Sequence, residues 1–257
     1  MAVSEIEASK DLKKDILKLL KPLGGFSNFI KKGDVVLVKP NFNTADPFPA
    51  STDKDFLKVI IESLNEHDAG KIIIGESSTF YRKTSKEMKR LNIPELEKYY
   101  KNLEILCFED TKWSKKEIPE GKYLKKIFLP QILEEVDKLI LLPCLKTHRY
   151  ADFTGSIKLS MGFTRQRDRL KFHTHKLQEK IAELNRVINP DLIIMDARKC
   201  FINGGPDIGE IAQPNLLLAS TQRRDIDLRG IEIIQGFKGN SLAKVRAEEL
   251  PQIKNFK

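Results

Sequence analysis

VVLVKPN, Val35–Asn41, is the stretch whose reading decides the fold. Val35 to Val38 are apolar without a break, so no face of this segment is left for water. A strand that reads this way is buried on both sides, as in a parallel sheet covered by helices. Lys39-Pro40-Asn41 then ends it, since proline cannot donate to a sheet ladder and the polar pair surfaces. Ile72–Ile74, Leu103–Phe108, Leu139–Leu142, Leu192–Met195 and Leu216–Ala219 repeat the pattern, each followed within two residues by Pro, Gly, Asp or Ser. Between them, Leu12, Ile16, Leu19 and Leu20 fall at helical spacing, as do Phe56, Val59, Ile60 and Leu64. Leu177, Ile181, Leu184 and Ile188 make a third stripe, closed by Asn189-Pro190. Strand and helix alternating along the chain predict an α/β fold, a mostly parallel sheet with helices on both faces.

The 257 residues are 40% hydrophobic and 32% charged, which supports a sizeable core and excludes wholesale disorder. No Ser/Gly linker, low-complexity tract or internal repeat divides the chain, so residues 1–257 read as one α/β domain. Residues 81–126 are its least regular part, a basic excursion with thirteen basic and eight acidic residues, placed as an inserted subdomain. Cys107, Cys144 and Cys200 are too few for a disulfide framework or for the four thiolates of an in-chain iron–sulfur cluster. No apolar run approaches the roughly 20 residues that span a bilayer. MAVSEIEASKDLKK has no signal-peptide apolar region, and the expectation is a cytoplasmic protein.

In a parallel sheet the carboxyl ends of the strands share one edge, where ligands bind. That edge gathers Lys39 and Asn41 after the first strand and Glu76 after the next. It also gathers Lys146, Thr147 and His148 in PCLKTH, and Asp196 in IMDA. Polar strand ends are also what any surfacing chain presents, and only their convergence would make a site. The window Lys146–Lys176 carries eight Lys or Arg against two Asp and three of the four histidines. Gly155 and Gly162 flank Ser156 and Lys158 within it, so that backbone can approach a ligand closely. Such a turn beside lysines and arginines suits a phosphate or carboxylate. Neither GxxxxGK[ST] nor GxGxxG occurs, so neither a P-loop nor a dinucleotide fingerprint is present.

His148, His173 and His175, helped by Asp196 or Glu76, are candidate ligands for a divalent metal. His148 beside Lys146 equally suits acid–base work, and the bland alternative is surface histidines, which fits His175 and His67. Asn203-Gly204-Gly205-Pro206 either covers the site or reverses the chain. Cys144 is a reactive thiol or buried filler. Asp225 after the last strand reads as a helix cap, and Asp227 either supplies the site or lies in that helix.

The series VLVKPN, IGES, LPCLKTH, FTGSIKLSMG, a following His, IMDA, GGP and LLAS with D-I-D resembles the DUF362 family, from about Val35 to Gly236. The family is named for its unknown function, and many relatives carry an appended ferredoxin-like iron–sulfur module that this chain lacks. The resemblance implies Lys39, Asn41, Glu76, Lys146, His148, Lys158, His173, Asp196 and Asp227 as site positions, and gives none of them a chemical role. Two positions depart from the family pattern: Leu159 and Gln222 stand where Asn and Asp are usual.

Together these features lead to an enzyme acting on a small anion. Lys146, His148, His173 and Asp196 are its catalytic candidates. Lys39, Asn41, Glu76, Thr147, Gly155, Lys158 and Asp227 are its substrate-binding candidates. Proton transfer and reduction by an external electron donor both fit, and the cofactor is unassigned. The alternatives are an accessory protein docking a separate ferredoxin-like partner, and nucleic-acid binding through the basic surface, which no recognised motif supports. The net charge of +9 is concentrated, with +6 in the Lys146–Lys176 window and +5 in residues 81–126, so the remainder carries −2. Charge placed on the glycine-flanked, histidine-bearing segment favours a small anion over a long polyanion.

Overall fold

The computed structural model describes residues 3–256. The chain runs β1 (Ser4–Glu7), α1 (Leu12–Leu20), β2 (Val35–Lys39), α2 (Lys54–Glu66), β3 (Lys71–Glu76) and α3 (Thr84–Arg90). It continues through β4 (Leu103–Cys107), β5 (Trp113–Glu117), β6 (Lys126–Pro130), β7 (Lys138–Leu141), β8 (Cys144–His148) and β9 (Asp152–Thr154). Next come α4 (Ser156–Leu159), α5 (Gln166–His173), α6 (Leu177–Leu184), β10 (Leu192–Gly204) and β11 (Gly209–Ala212). β12 (Leu216–Ser220), α7 (Arg223–Gln235) and α8 (Pro251–Lys254) close it.

The main sheet has the order β1-β12-β10-β7-β2-β3-β4. From β10 to β4 all neighbours are parallel, while β12 and β1 are antiparallel additions at one side. Alternation along each strand feeds two apolar layers. Leu37, Ile73, Leu139, Leu141, Ile193 and Met195 face the layer that holds α6, α7 and α8. Val36, Val38, Ile72, Ile74, Ile140 and Ile194 face the layer that holds α1 and α2. Both faces are therefore dry, which is why these strands read as unbroken apolar runs. Asp53 caps α2 by accepting from the Phe56 N–H at 2.9 Å, turning its Phe56, Ile60 and Leu64 stripe onto the sheet.

Within residues 81–126, the apolar run Leu103–Cys107 is the edge strand β4, paired in parallel with β3. The two-stranded β5–β6 ribbon places Ile118, Ile127 and Leu129 in the same apolar layer as Leu37 and Ile73. One departure from the expected layout builds the site. β10 runs thirteen residues, past the end of β7, and offers its free length to β8 in parallel and to β11 in antiparallel pairing. Cys144–His148 is thus a strand rather than a loop, resumed after Pro143. Arg198 and Lys199 in the middle of β10 hide this extension from an apolar-run reading. Because β12 is antiparallel, residues 221–224 lie at the opposite sheet edge from Lys39 and Glu76.

Candidate functional site: a cationic cavity at the strand ends

A cavity of about 580 Å³ opens at the carboxyl ends of β2 and β3, against β8. Lys39, Asn41, Glu76, Lys146, His148, Lys158 and His173 all line it, so seven of the residues singled out in the sequence converge. Period-two alternation explains the pair on β8: Lys146 and His148 face the cavity, while Thr147 between them faces away and its hydroxyl lies buried without a partner.

Lys39 and Glu76 form a buried ion pair at 2.6 Å. The lysine also donates to Pro40 O at 2.7 Å, and the carboxylate accepts the Phe42 and Ser77 N–H groups at 2.7 Å each. Burial draws Lys39 below the ordinary lysine range despite the attraction of Glu76. This pair spends its charge internally and frames the site. Gly162 packs against it: a Cβ there would stand 2.6 Å from Lys39 Cε and 2.9 Å from Glu76 Oε1.

The other cations are different. Lys146 is buried and donates to the Ala50 carbonyl, with no carboxylate within ion-pair distance among the described residues. Burial pulls it down to about 8. Lys158, half-buried in the cavity wall, likewise has no carboxylate within ion-pair distance among the described residues. Burial, reinforced by Lys146 and Arg169, pulls it down to about 7. Arg169 is buried too, its guanidinium held by the Ser78, Gly162 and Thr164 carbonyls and by Thr164 Oγ1. Burial lowers it to about 10. Among the described residues none of these three cations has a carboxylate within ion-pair distance, because Glu76 and Asp207, which also line the cavity, pair with Lys39 and Arg149.

His148 Nδ1 accepts the backbone N–H groups of Tyr150 at 3.1 Å and Ala151 at 3.2 Å. A nitrogen that accepts twice carries no proton, so the neutral ring holds its hydrogen on Nε2. Burial, with Lys158 and Lys146 behind it, holds the imidazole neutral, far below its ordinary range. His148 is therefore a hydrogen-bond donor at the cavity wall. His173 stands at the rim, exposed, its ring edge-on to Tyr150 at 6.3 Å, and burial and Lys158 lower its basicity.

Besides Thr147, three expected site residues lie elsewhere. Asp196 does not line the cavity; it is buried against Arg198, which bonds its carboxylate at 2.6 and 2.9 Å and reaches Asp53 at 3.1 Å. That network ties β10 to the start of α2 and leaves Asp196 no part in a cluster with His148 and His173. No group of three or more His, Cys, Asp or Glu side chains among the described residues is arranged to hold a metal ion. Asp227 is buried in α7 and accepts the Ser156 and Ile157 N–H groups at 2.7 and 3.0 Å. It caps α4, which carries Lys158. Gly155 is small because that carboxylate abuts it, a Cβ standing 2.4 Å from Asp227 Oδ1, and not because a ligand approaches. Gly204-Gly205 turns β10 into β11 and also brings Pro206 and Asp207 to the cavity wall. Cys144 is buried beside Thr52, and burial pushes its thiol up to about 12.

A family model described as "Domain of unknown function (DUF362)" matches residues 36–232. The chain belongs to DUF362. The thylakoid-associated protein sll1697 of Synechocystis sp. is 26% identical over 224 residues, spanning 84% of this chain and 68% of that protein. The structure of the lactate racemase apoprotein from Thermoanaerobacterium thermosaccharolyticum matches with a TM-score of 0.54 at 14% identity. That match covers 86% of this chain and 60% of the racemase chain, and it is a likeness of fold. Among the described residues no helix is long and apolar enough to cross a membrane. In this DUF362 chain, Arg169 is the site residue that the sequence reading passed over. Its signal was its position among Arg165, Arg167 and Arg169; only the packing of α5 against the 78–82 loop singles one out.

Proposed function

We propose that this chain is an enzyme that binds a small carboxylate- or phosphate-bearing anion in the cavity and moves a proton on it. The observation that carries this reading is the grouping of Lys146, Lys158 and Arg169 without a carboxylate partner around a neutral His148. An anion entering there supplies the missing charge in a low-dielectric setting, where the attraction is strongest. The fold likeness to a protein titled lactate racemase points the same way, since lactate is a small carboxylate.

The chemistry follows from the protonation states. Lys158, lowered to about 7, is an amine in a substantial share of molecules at neutral pH and accepts a proton from the carbon next to the ligand's carboxyl or carbonyl group. The electrons of that C–H bond move onto the oxygen of that group, giving an enolate that takes a hydrogen bond from His148 Nε2–H. Lys146 and Arg169 offset the growing negative charge. The proton returns from the Lys158 ammonium to carbon.

Hydrogen–deuterium exchange at the 2-position of 2-hydroxy and 2-aryl carboxylates in D2O, followed by NMR, tests this. Wild-type protein is expected to catalyse exchange, and Lys158→Met to lose it by roughly a hundredfold or more while keeping its circular dichroism spectrum. Wild-type protein that neither binds these anions nor exchanges them would overturn the reading.

A further inference from the structure

The mechanism uses the floor of the cavity and leaves its mouth unexplained. Of the eight large apolar side chains exposed among the described residues, four line this one opening: Phe80 at 47%, Tyr81 at 66%, Tyr150 at 69% and Leu170 at 51%. Exposed apolar side chains scattered singly are ordinary, but a set gathered at one opening marks a place where apolar surface is to be covered. The collar is also built. Phe80 and Tyr81 meet edge to face at 5.2 Å, and Tyr150 lies between the His148 and His173 rings at 6.1 and 6.3 Å. Gln166 Nε2 donates to the Ser78, Thr79 and Arg82 carbonyls at 2.9 to 3.3 Å, fastening the loop that carries Phe80 and Tyr81 to α5, which carries Leu170. The volume, about 580 Å³, is in the range of sites for ligands much larger than a two- or three-carbon acid.

We propose that the mouth is a second subsite, and that the ligand is a flat apolar molecule with one anionic head. The head would lie against Lys146 and Arg169 and the body against Tyr150, Phe80 and Tyr81. This rests on the anion reading of the floor and adds the class of molecule. Aromatic walls favour a planar body, because offset and edge-to-face ring contacts add to the gain from buried area.

Isothermal titration of acetate, lactate, 2-naphthoate, 2-naphthyl phosphate and uncharged 2-naphthamide into the full chain separates the two subsites. 2-Naphthoate or 2-naphthyl phosphate is expected to bind at least about tenfold tighter than acetate, and the tighter of the two names the head. Phe80→Ala with Tyr150→Ala, both at exposed positions, is expected to remove most of that advantage and leave acetate unchanged. Lys146→Met is expected to weaken every anion and leave the amide unchanged. Equal affinity for acetate and 2-naphthoate, with both lost in Lys146→Met, would overturn the collar subsite and leave the anion reading standing. The amide binding as tightly as 2-naphthoate would overturn the coupling of head to body. No anion binding at all would remove the floor reading itself.

Discussion

Gly162 is the point where one missing methyl group decides the shape of the site. The Lys39–Glu76 pair is fully enclosed, with every charge met by the partner or by backbone, so neither side chain can swing aside. A Cβ at 162 would press on both halves of it. Gly162→Ala is expected to cost about 1–3 kcal/mol by overpacking, read from urea denaturation, and to weaken anion binding as the Lys39–Glu76 pair that frames the cavity is displaced. Unchanged stability and affinity would mean that the pair has room to shift away from a methyl group at 162. Such a glycine is visible in sequence, but its reason is not. Both glycines are expected to let a ligand approach; Gly162 does line the cavity while also making room for the Lys39–Glu76 pair, whereas Gly155 makes room for the Asp227 carboxylate. The distinction depends on Asp227 and Glu76, 72 residues downstream of the one glycine and 86 upstream of the other, which no local pattern connects.

At the scale of elements, the strands were legible because burial on both faces leaves an unbroken apolar run, and Val35–Lys39, Lys71–Glu76 and Lys138–Leu141 fall where the runs do. β8 was not, because its cavity-facing residues are Lys146 and His148, and a strand with one functional face loses the apolar signature. α4 was not either. It is only four residues long and is held by the Asp227 cap, so its placement is a tertiary fact. Lys158 rides on that helix, and Asp227 is therefore a positioning residue for it. Asp227→Ala strands two buried N–H groups and is expected to cost about 1–3 kcal/mol, with anion binding weakened beyond what the lost stability explains. Asp227→Asn keeps one acceptor oxygen and is expected to restore much of both. A merely structural role would leave the pH dependence of anion binding where it is in wild type. A positioning role shifts it in Asp227→Ala, because Lys158 then titrates in a wetter setting.

For the whole molecule, the excess positive charge is partly stored as free energy that a ligand can release. Lys146 and Lys158 titrate at about 8 and about 7 in the folded chain, against about 10.4 for an unfolded lysine. A lowered folded value means that the unfolded chain binds more protons over this interval, so stability rises with pH from about 7 upward and is lost as pH falls through 8 and then 7. The three cysteines act the other way at higher pH. Burial lifts Cys107, Cys144 and Cys200 to about 12, while unfolded thiols ionise near 8.5. Their contribution is present below about 8.5 and fades above it, so the lysine signal stands clear between about pH 7 and 8.5. Melting temperature of the ligand-free chain is expected to climb across that window. A bound anion favours the Lys146 ammonium and raises its folded value toward the unfolded one, so a saturating anion should raise the melting temperature most at pH 7 and flatten the climb. The double substitution Lys146→Met, Lys158→Met should flatten it without ligand and abolish the anion's effect. A wild-type profile that is flat in this window and indifferent to every anion would show that the two lysines keep ordinary proton affinity and that the cavity is not built around negative charge.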